Sequence, residues 1–230
     1  PSLVLCEAAR DSGFDRSLFE RLMSLGRVPI VLAEQYRMHP AISEWPGIEF
    51  YGGEVQNHES VRDPRREQEK LRWKATPRGV PPRLARLLQE QQLLLFDCRE
   101  PEGRHDRHPT SIANLGEAQA VAQLFTHLRS CLEEPSDQYT RPDVAIVTPY
   151  KAQIATLEDL LWHRTSSYRI GTADAFQGRE ADVVIISAVR SPSTQYANLR
   201  FLQDPRRLNV MLTRARVRLF VIANCHVLEK

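Results

Sequence analysis

Apolar residues along the chain recur with two spacings, and these divide it into elements. In "SLFERLMSLG", Leu18, Phe19, Leu22, Met23 and Leu25 fall at helical intervals, and Gly26 closes the run as a C-terminal stop. "VPIVLAE" then reads as a strand. From Arg62 to Arg86 the sequence is charged and broken by prolines, which predicts an exposed excursion, over about residues 59–109, with little part in the core. Within it "QLLLFDC" reads as a short buried strand and "REPEGRHDRHPTS" as a polar loop. "NLGEAQAVAQLFTHLRSCLEE" predicts a long helix opened by a capping box, Asn114 with Glu117. There follow strand "DVAIVTP", helix "YKAQIATLEDLLWH", strands "YRIGTAD" and "ADVVIISAV", helix "RRLNVMLTRAR" and strand "VRLFVIAN". Several of these strands are unbroken Val and Ile runs, apolar on both faces, and they alternate with helices. That pattern predicts an α/β fold: a mostly parallel sheet with helices on both faces. No internal repeat is visible.

Composition narrows the picture. At 230 residues with 42% hydrophobic content, the chain can bury a sizeable core, and a single domain is the expectation. Its formal net charge of +2 lacks the strong basic balance of a stand-alone nucleic-acid binder, so such contacts would come from placed residues. Cys6, Cys98, Cys131 and Cys225 form no CxxC pair, which argues against a zinc site and a disulfide framework and favours a reducing, intracellular compartment, nucleus or cytoplasm. No apolar stretch approaches the roughly 20 residues that span a bilayer, and the start lacks the design of a signal peptide. No membrane partner is expected. Opening on Pro1 and closing within an apparent new helix, the sequence reads as a piece of something longer.

In open parallel sheets, ligands bind outside the carboxyl ends of strands. After "VPIVLAE" comes "QYRMHP", after "DVAIV" comes "TPYKAQ", after "YRIGTA" comes "DAFQGRE", and "RRLNVMLTRAR" stacks arginines before the last strand. One rim is thus expected to gather Tyr36, Arg37, Gln177, Glu180 and Arg214. Guanidinium suits phosphate, a ring suits a base and a carboxylate suits ribose hydroxyls, so the set fits a nucleotide. On the predicted "RRLNVMLTRAR" helix, Arg216 would point about 200° away from Arg214 and so could not share its role.

Singly, each residue also has a plainer reading. A Tyr-Arg pair after a strand can be a solvated rim, "QGRE" a glycine-mediated link, and the arginines a charged helix face. Met211 and Leu212 belong to the core. His39, His105 and His108 stand in loops without cysteine partners, which argues against a metal site.

Together and in this order, "SLFERL", "QYRMHP", "TPYKAQ", "DAFQGREADVVIISAVR" and "DPRRLNVMLTRAR" resemble the superfamily 1 helicases of the nonsense-mediated-decay type, a group with senataxin-like and immunoglobulin-switch-binding relatives. The resemblance is to that family's second RecA-like domain and runs from about Ser17 to Asn224, with Glu59 to Pro109 as its weak stretch. It implies a RecA-like P-loop NTPase fold. No GxxxxGK(S/T) occurs here, and the resemblance puts the Walker A loop and the Mg2+ ligands in an upstream RecA-like domain of the same polypeptide.

Carried over residue by residue, the resemblance implies that Tyr36 stacks on the adenine of ATP. Arg37 and Arg214 reach its γ-phosphate as arginine fingers, Glu180 accepts from the ribose hydroxyls, and Gly178, beside Gln177, lets the backbone approach. Single-stranded RNA or DNA would lie against Thr148, Pro149, Thr172, Ser187 and Arg190, mainly through sugar and phosphate contacts. For Ser187 the alternative is a strand-interior hydroxyl satisfied within the protein. The expected function is the C-terminal motor domain of an ATP-dependent helicase, moving 5′ to 3′. The alternative is a helicase-like domain kept as an inactive scaffold, although a scaffold has no need of these arginines.

Overall fold

A computed structural model describes residues 4, 6–105, 107–136, 139–162, 168–191 and 203–228. His163, the predicted end of one helix, and the final Glu229 and Lys230 lie outside the described residues. The chain divides into two compact units, Pro1–Ala33 and Glu34–Lys230. The first holds α1 (Glu7–Asp11) and α2 (Leu18–Ser24). Ser17 caps α2 by accepting from the Glu20 amide at 3.1 Å, a bond that Ala at this position could not make.

The larger unit contains β1 (Glu34–Gln35), α3 (Pro40–Tyr51), β2 (Gln56–Asn57), α4 (Pro64–Lys70), α5 (Pro82–Glu90), β3 (Leu93–Asp97), β4 (Gly103–His105) and β5 (His108–Ala113). After these come α6 (Leu115–Cys131), β6 (Val144–Thr148), α7 (Lys151–Leu161), β7 (Tyr168–Thr172), β8 (Ala181–Ser187), α8 (Pro205–Leu212), β9 (Ala215–Ala223) and α9 (Cys225–Leu228). Five strands form one sheet in the order β3-β9-β8-β6-β7, with every neighbouring pair parallel. The expected α/β architecture is therefore the observed one.

The unbroken apolar runs are explained by what covers each face. Val144 and Ile146 of β6, with Val183 and Ile185 of β8, join Val121, Leu124, Phe125 and Leu128 of α6 and Leu157 and Leu161 of α7. The alternate residues Ala145, Val147, Val184 and Ile186 meet Met38, Ile42 of α3, Phe176 and Met211 of α8. Period-two geometry sends neighbours to opposite faces, and both faces are covered, so apolar residues fill the middle of both strands while the polar Thr148, Asp182 and Ser187 stand at or next to their ends.

Five elements differ from expectation, the first being β3, read as buried, in which Leu93 and Leu95 are exposed. "VPIVLAE" is not a strand: only Glu34 and Gln35 pair, with Gln56 and Asn57, while Val28, Ile30 and Leu32 are exposed. β-propensity describes a fit to a sheet that a neighbour must supply. The polar loop after β3 contains the β4 and β5 hairpin, whose His and Arg residues hide its period. The charged excursion does enter the core: Leu71, Val80 and Leu88 belong to the larger apolar cluster. Of these only Leu88 lies on a helix, α5; Leu71 follows the end of α4 and Val80 precedes α5, so single apolar residues in irregular backbone reach the core between charged neighbours. Finally, α8 stops at Leu212, so Arg214 sits in a turn and Arg216 on β9. The amide of Ala181 donates to the Arg214 carbonyl at 3.0 Å, and this ladder replaces the last helical turn.

Candidate functional site

Glu180 immediately precedes β8 and Arg214 immediately precedes β9, so both lie at the amino ends of parallel neighbours. Gly178, at φ +79°, makes the turn that delivers Glu180, a conformation L side chains rarely adopt. Arg37 reaches the same place from the segment before α3. Its Nε donates to Glu180 at 2.6 Å and its Nη1 donates to the Thr213 carbonyl at 3.1 Å. Arg216 Nε lies 3.1 Å from the other Glu180 oxygen, and its Nη1 pairs with Asp182 at 3.3 Å. Glu180 is thus shared by two guanidinium groups. Burial pushes its carboxyl up, but the bond from Arg37 and the charges of Arg216 and Arg37 outweigh this and hold it below the usual range.

Arg214 is held differently. It donates to the Val210 carbonyl at 2.8 Å, the Arg179 carbonyl at 3.2 Å and the Thr213 hydroxyl at 2.9 Å. Every partner is neutral. Burial and then the charge of Arg37 lower its pKa, as expected for a cation without a counter-ion beside it. Tyr36 is exposed; its hydroxyl donates to Glu34 at 2.7 Å, which with slight desolvation raises its pKa, and its ring lies against that of His58 at 4.2 Å. Gln177 stands exposed in the turn before Glu180.

These positions correct the expectation of one rim at the carboxyl ends. Thr148, Thr172 and Arg190 do lie at the carboxyl ends of β6, β7 and β8. Arg37, Glu180 and Arg214 lie at the opposite end, and the seven residues of β8 separate the two sets by about 20 Å at the usual strand rise. The rule about carboxyl ends describes where a sheet binds its own nucleotide, and these arginines do not follow it.

The carboxyl-end residues are unequal. Ser187 is fully buried; its hydroxyl donates to Glu117 at 2.8 Å and accepts from Gln153 at 2.9 Å. A strand bound at the surface cannot reach it, so Ser187 is the strand-interior hydroxyl satisfied within the protein. Thr148 is also fully buried, with its hydroxyl unbonded, which leaves the half-buried Pro149 as the accessible part of "TP". The half-buried Thr172 caps a turn by accepting from the Ala175 amide at 3.3 Å. Arg190 pairs with Glu102 at 2.6 Å, and the Ser191 amide donates to the same carboxylate at 2.9 Å.

Behind this end lies a buried carboxylate that sequence reasoning saw only as a capping residue. The Asn114 side chain does cap α6, accepting from the Glu117 amide at 2.9 Å. The Glu117 side chain turns instead to the Val189 amide, at 2.8 and 3.0 Å. Val189 is the one non-glycine residue at positive φ among those described, at 71°. Arg216 and Arg66 were missed as well. Arg216 was legible in "LTRAR" but assigned to a helix; nothing in "DPRREQE" marks Arg66.

No three His, Cys, Asp or Glu residues come together as a metal site among the described residues.

Residues 14–226 match the AAA domain family. The chain is 36% identical over 235 residues to "Regulator of nonsense transcripts 1" of Dictyostelium discoideum, covering 99% of this chain and 16% of that protein. It is 36% identical over 235 residues to "Regulator of nonsense transcripts 1 homolog" of Drosophila melanogaster, covering 99% and 18%. It is 34% identical over 229 residues to "ATP-dependent helicase NAM7" of Saccharomyces cerevisiae, covering 96% and 21%. The chain thus spans 16% to 21% of the length of these relatives. The chain belongs to the AAA domain family and, within it, to the superfamily 1 helicases of the nonsense-mediated-decay type.

Proposed function

We propose that this chain is the second motor domain of an ATP-dependent helicase that works on single-stranded nucleic acid, moving 5′ to 3′. The observation that carries the reading is the meeting of Arg37 with the "LTRAR" segment across 176 positions of sequence, beside Glu180. The rest of the nucleotide site would come from another RecA-like domain of the polypeptide. Arg37 and Arg214 would hold the γ-phosphate, Tyr36 the adenine, and Glu180, with Gln177 and Gly178 nearby, the ribose. Positive charge fixed before the reaction neutralises charge that develops on the transferring phosphoryl group, with no reorganisation at the moment of reaction. Mg2+ would be held by the partner domain, where it neutralises phosphate charge.

Glu180 explains how Arg37 waits. A carboxylate that neutralises the guanidinium keeps it ordered, and a phosphate of higher charge competes for the same donors. At the other end of the sheet, Pro149, Thr172 and Arg190 would touch the sugar-phosphate backbone of RNA or DNA. No helix among the described residues is long and apolar enough to cross a membrane, and a helicase of this kind would work in the nucleus or cytoplasm.

The test is ATP hydrolysis by the full-length protein with and without single-stranded RNA and DNA. Hydrolysis stimulated by either strand supports the motor; strand binding without hydrolysis would make the domain a scaffold. The 230-residue chain alone, without a phosphate-cradling loop, is expected to be inactive.

Tyr36 offers a narrower check. Base stacking on an aromatic ring contributes about 1–3 kcal/mol and is made equally in ground and transition states, so its loss belongs in KM. In the full-length protein, Tyr36→Ala should raise KM for ATP about 10-fold and leave kcat nearly unchanged. A fall in kcat at constant KM would remove Tyr36 from the base-stacking role.

A further inference from the structure

The excursion between α3 and α6 has no role in the reading above, yet its first helix ends against the nucleotide-binding segment. Arg66 on α4 points one nitrogen, Nη2, at two successive carbonyls: those of Tyr36 at 3.1 Å and Arg37 at 2.9 Å. These are the residues proposed to meet the base and the γ-phosphate. Its other terminal nitrogen is buried without a hydrogen bond.

The next residue fixes the helix to the sheet. Glu67 pairs with Arg218, which is fully buried on β9. Arg218 also donates to the carbonyls of Gln89 at 2.9 Å and Val217 at 3.2 Å, and its guanidinium lies 5.7 Å from the centre of the Trp73 ring. A buried guanidinium with this many partners is costly to move. The same strand begins beside Arg214 and carries Arg216. One rigid path therefore runs from β9 through Arg218, Glu67 and Arg66 to the backbone of Tyr36 and Arg37.

We infer that Arg66 is a positioning residue for catalysis: it locks the backbone of Tyr36 and Arg37 so that the Arg37 guanidinium arrives aligned with the γ-phosphate. The charged excursion is then a brace for the nucleotide site. This rests on the nucleotide reading above. Small misplacements of a reacting group are expensive in rate, so loosening this backbone acts on kcat before it acts on fold.

The experiment uses the full-length protein with Arg66→Ala, Arg66→Gln and Arg66→Lys, and with Arg65→Ala as control. Arg65 is exposed on the same helix, and among the described residues its guanidinium bonds to Asp63 alone. Readouts are strand-stimulated kcat, KM for ATP, affinity for ADP and Tm. Arg66→Ala and Arg66→Gln should lower kcat about 10-fold or more, with ADP affinity within about threefold of normal. Because one nitrogen makes both bonds, a lysine ammonium with three donors can replace it, and Arg66→Lys should recover most of kcat. Arg65→Ala should change nothing. Should Arg66→Ala lower only Tm, with kcat kept below the melting range, Arg66 is structural and the inference is overturned. If the alanine variant does not fold, Arg66→Gln with normal kcat overturns it equally, as does Arg66→Lys with kcat as low as Arg66→Gln. Absence of hydrolysis in the wild-type protein would instead overturn the nucleotide reading, and this inference with it.

Discussion

Arg214→Ala in the full-length protein should reduce ATP hydrolysis by about 10³-fold while leaving ADP and single-strand affinity within a few-fold of normal. The expectation comes from the way the guanidinium is held. Three hydrogen bonds to the Val210 and Arg179 carbonyls and the Thr213 hydroxyl fix its plane. None of these partners carries charge, and Arg37 nearby adds repulsion. Such a group is ordered but not neutralised, so an anion arriving beside it gains the full interaction without displacing a carboxylate. Charge that grows in the transition state is what it meets best, and its loss falls on kcat. Arg214→Lys should rescue poorly, because an ammonium cannot make three contacts in one plane. Arg216 is not the silent neighbour that a helix would make it. It shares Glu180 with Arg37, so Arg216→Ala should disturb hydrolysis through Glu180, by about 10-fold at most. Near-normal turnover in Arg214→Ala, measured with saturating ATP and strand, would remove the assignment.

The difference between Arg214 and Arg216 marks how far the sequence can be read. Buried strands were legible because a strand covered on both faces must be apolar through its middle, as β6 and β8 are. The residues proposed for the nucleotide were picked out by family motifs, and of these Arg37 and Glu180 do meet beside the "LTRAR" segment. The end of α8 was not, because "LTRAR" suits a helix locally and only the pairing of Arg214 with Ala181 turns it into a strand. Val28, Ile30 and Leu32 failed the other way: their β-propensity is real, but they pair with no strand. Leu71, Val80 and Leu88 were hidden among charges, since three apolar residues spread over 18 positions carry no period. Glu117 and Arg66 were beyond reach because their partners lie 72 and about 30 residues away, and no local pattern records a contact at that distance.

Glu117 is also where stability should depend most on pH. The carboxyl is fully buried, and burial raises its pKa from the ordinary 4.5 to about 7, against the opposing hydrogen bonds from Val189, Ser187 and Ala188. The charge of Glu102 adds to the rise; that carboxylate faces the network from the loop after β3 and is itself paired with Arg190. From α6, α7 and β8 the neighbours Asn114, Gln153 and Ser187 are neutral. A folded pKa above the unfolded one means that the folded protein holds an extra proton between the two values. The associated stability is fully present below about 4.5 and is lost as pH rises through about 7, a span of about 3 kcal/mol. Glu117→Gln removes the titration, so its unfolding free energy should lack this component across the window. Glu117→Ala goes further: it strips the Val189 amide and Ser187 hydroxyl of their acceptor and leaves Val189 at positive φ without support. Unsatisfied buried donors cost about 1–3 kcal/mol each, and strained backbone persists only when its surroundings over-determine it. A loss of about 2–4 kcal/mol is expected for Glu117→Ala at pH 8, with faster hydrogen exchange at Val189 and Arg190. Urea unfolding of wild type, Glu117→Gln and Glu117→Ala between pH 5 and pH 8 reads all three quantities. Parallel pH curves for wild type and Glu117→Gln would mean that Glu117 keeps one protonation state throughout, and that the loop carrying Arg190 is held by a permanent charge.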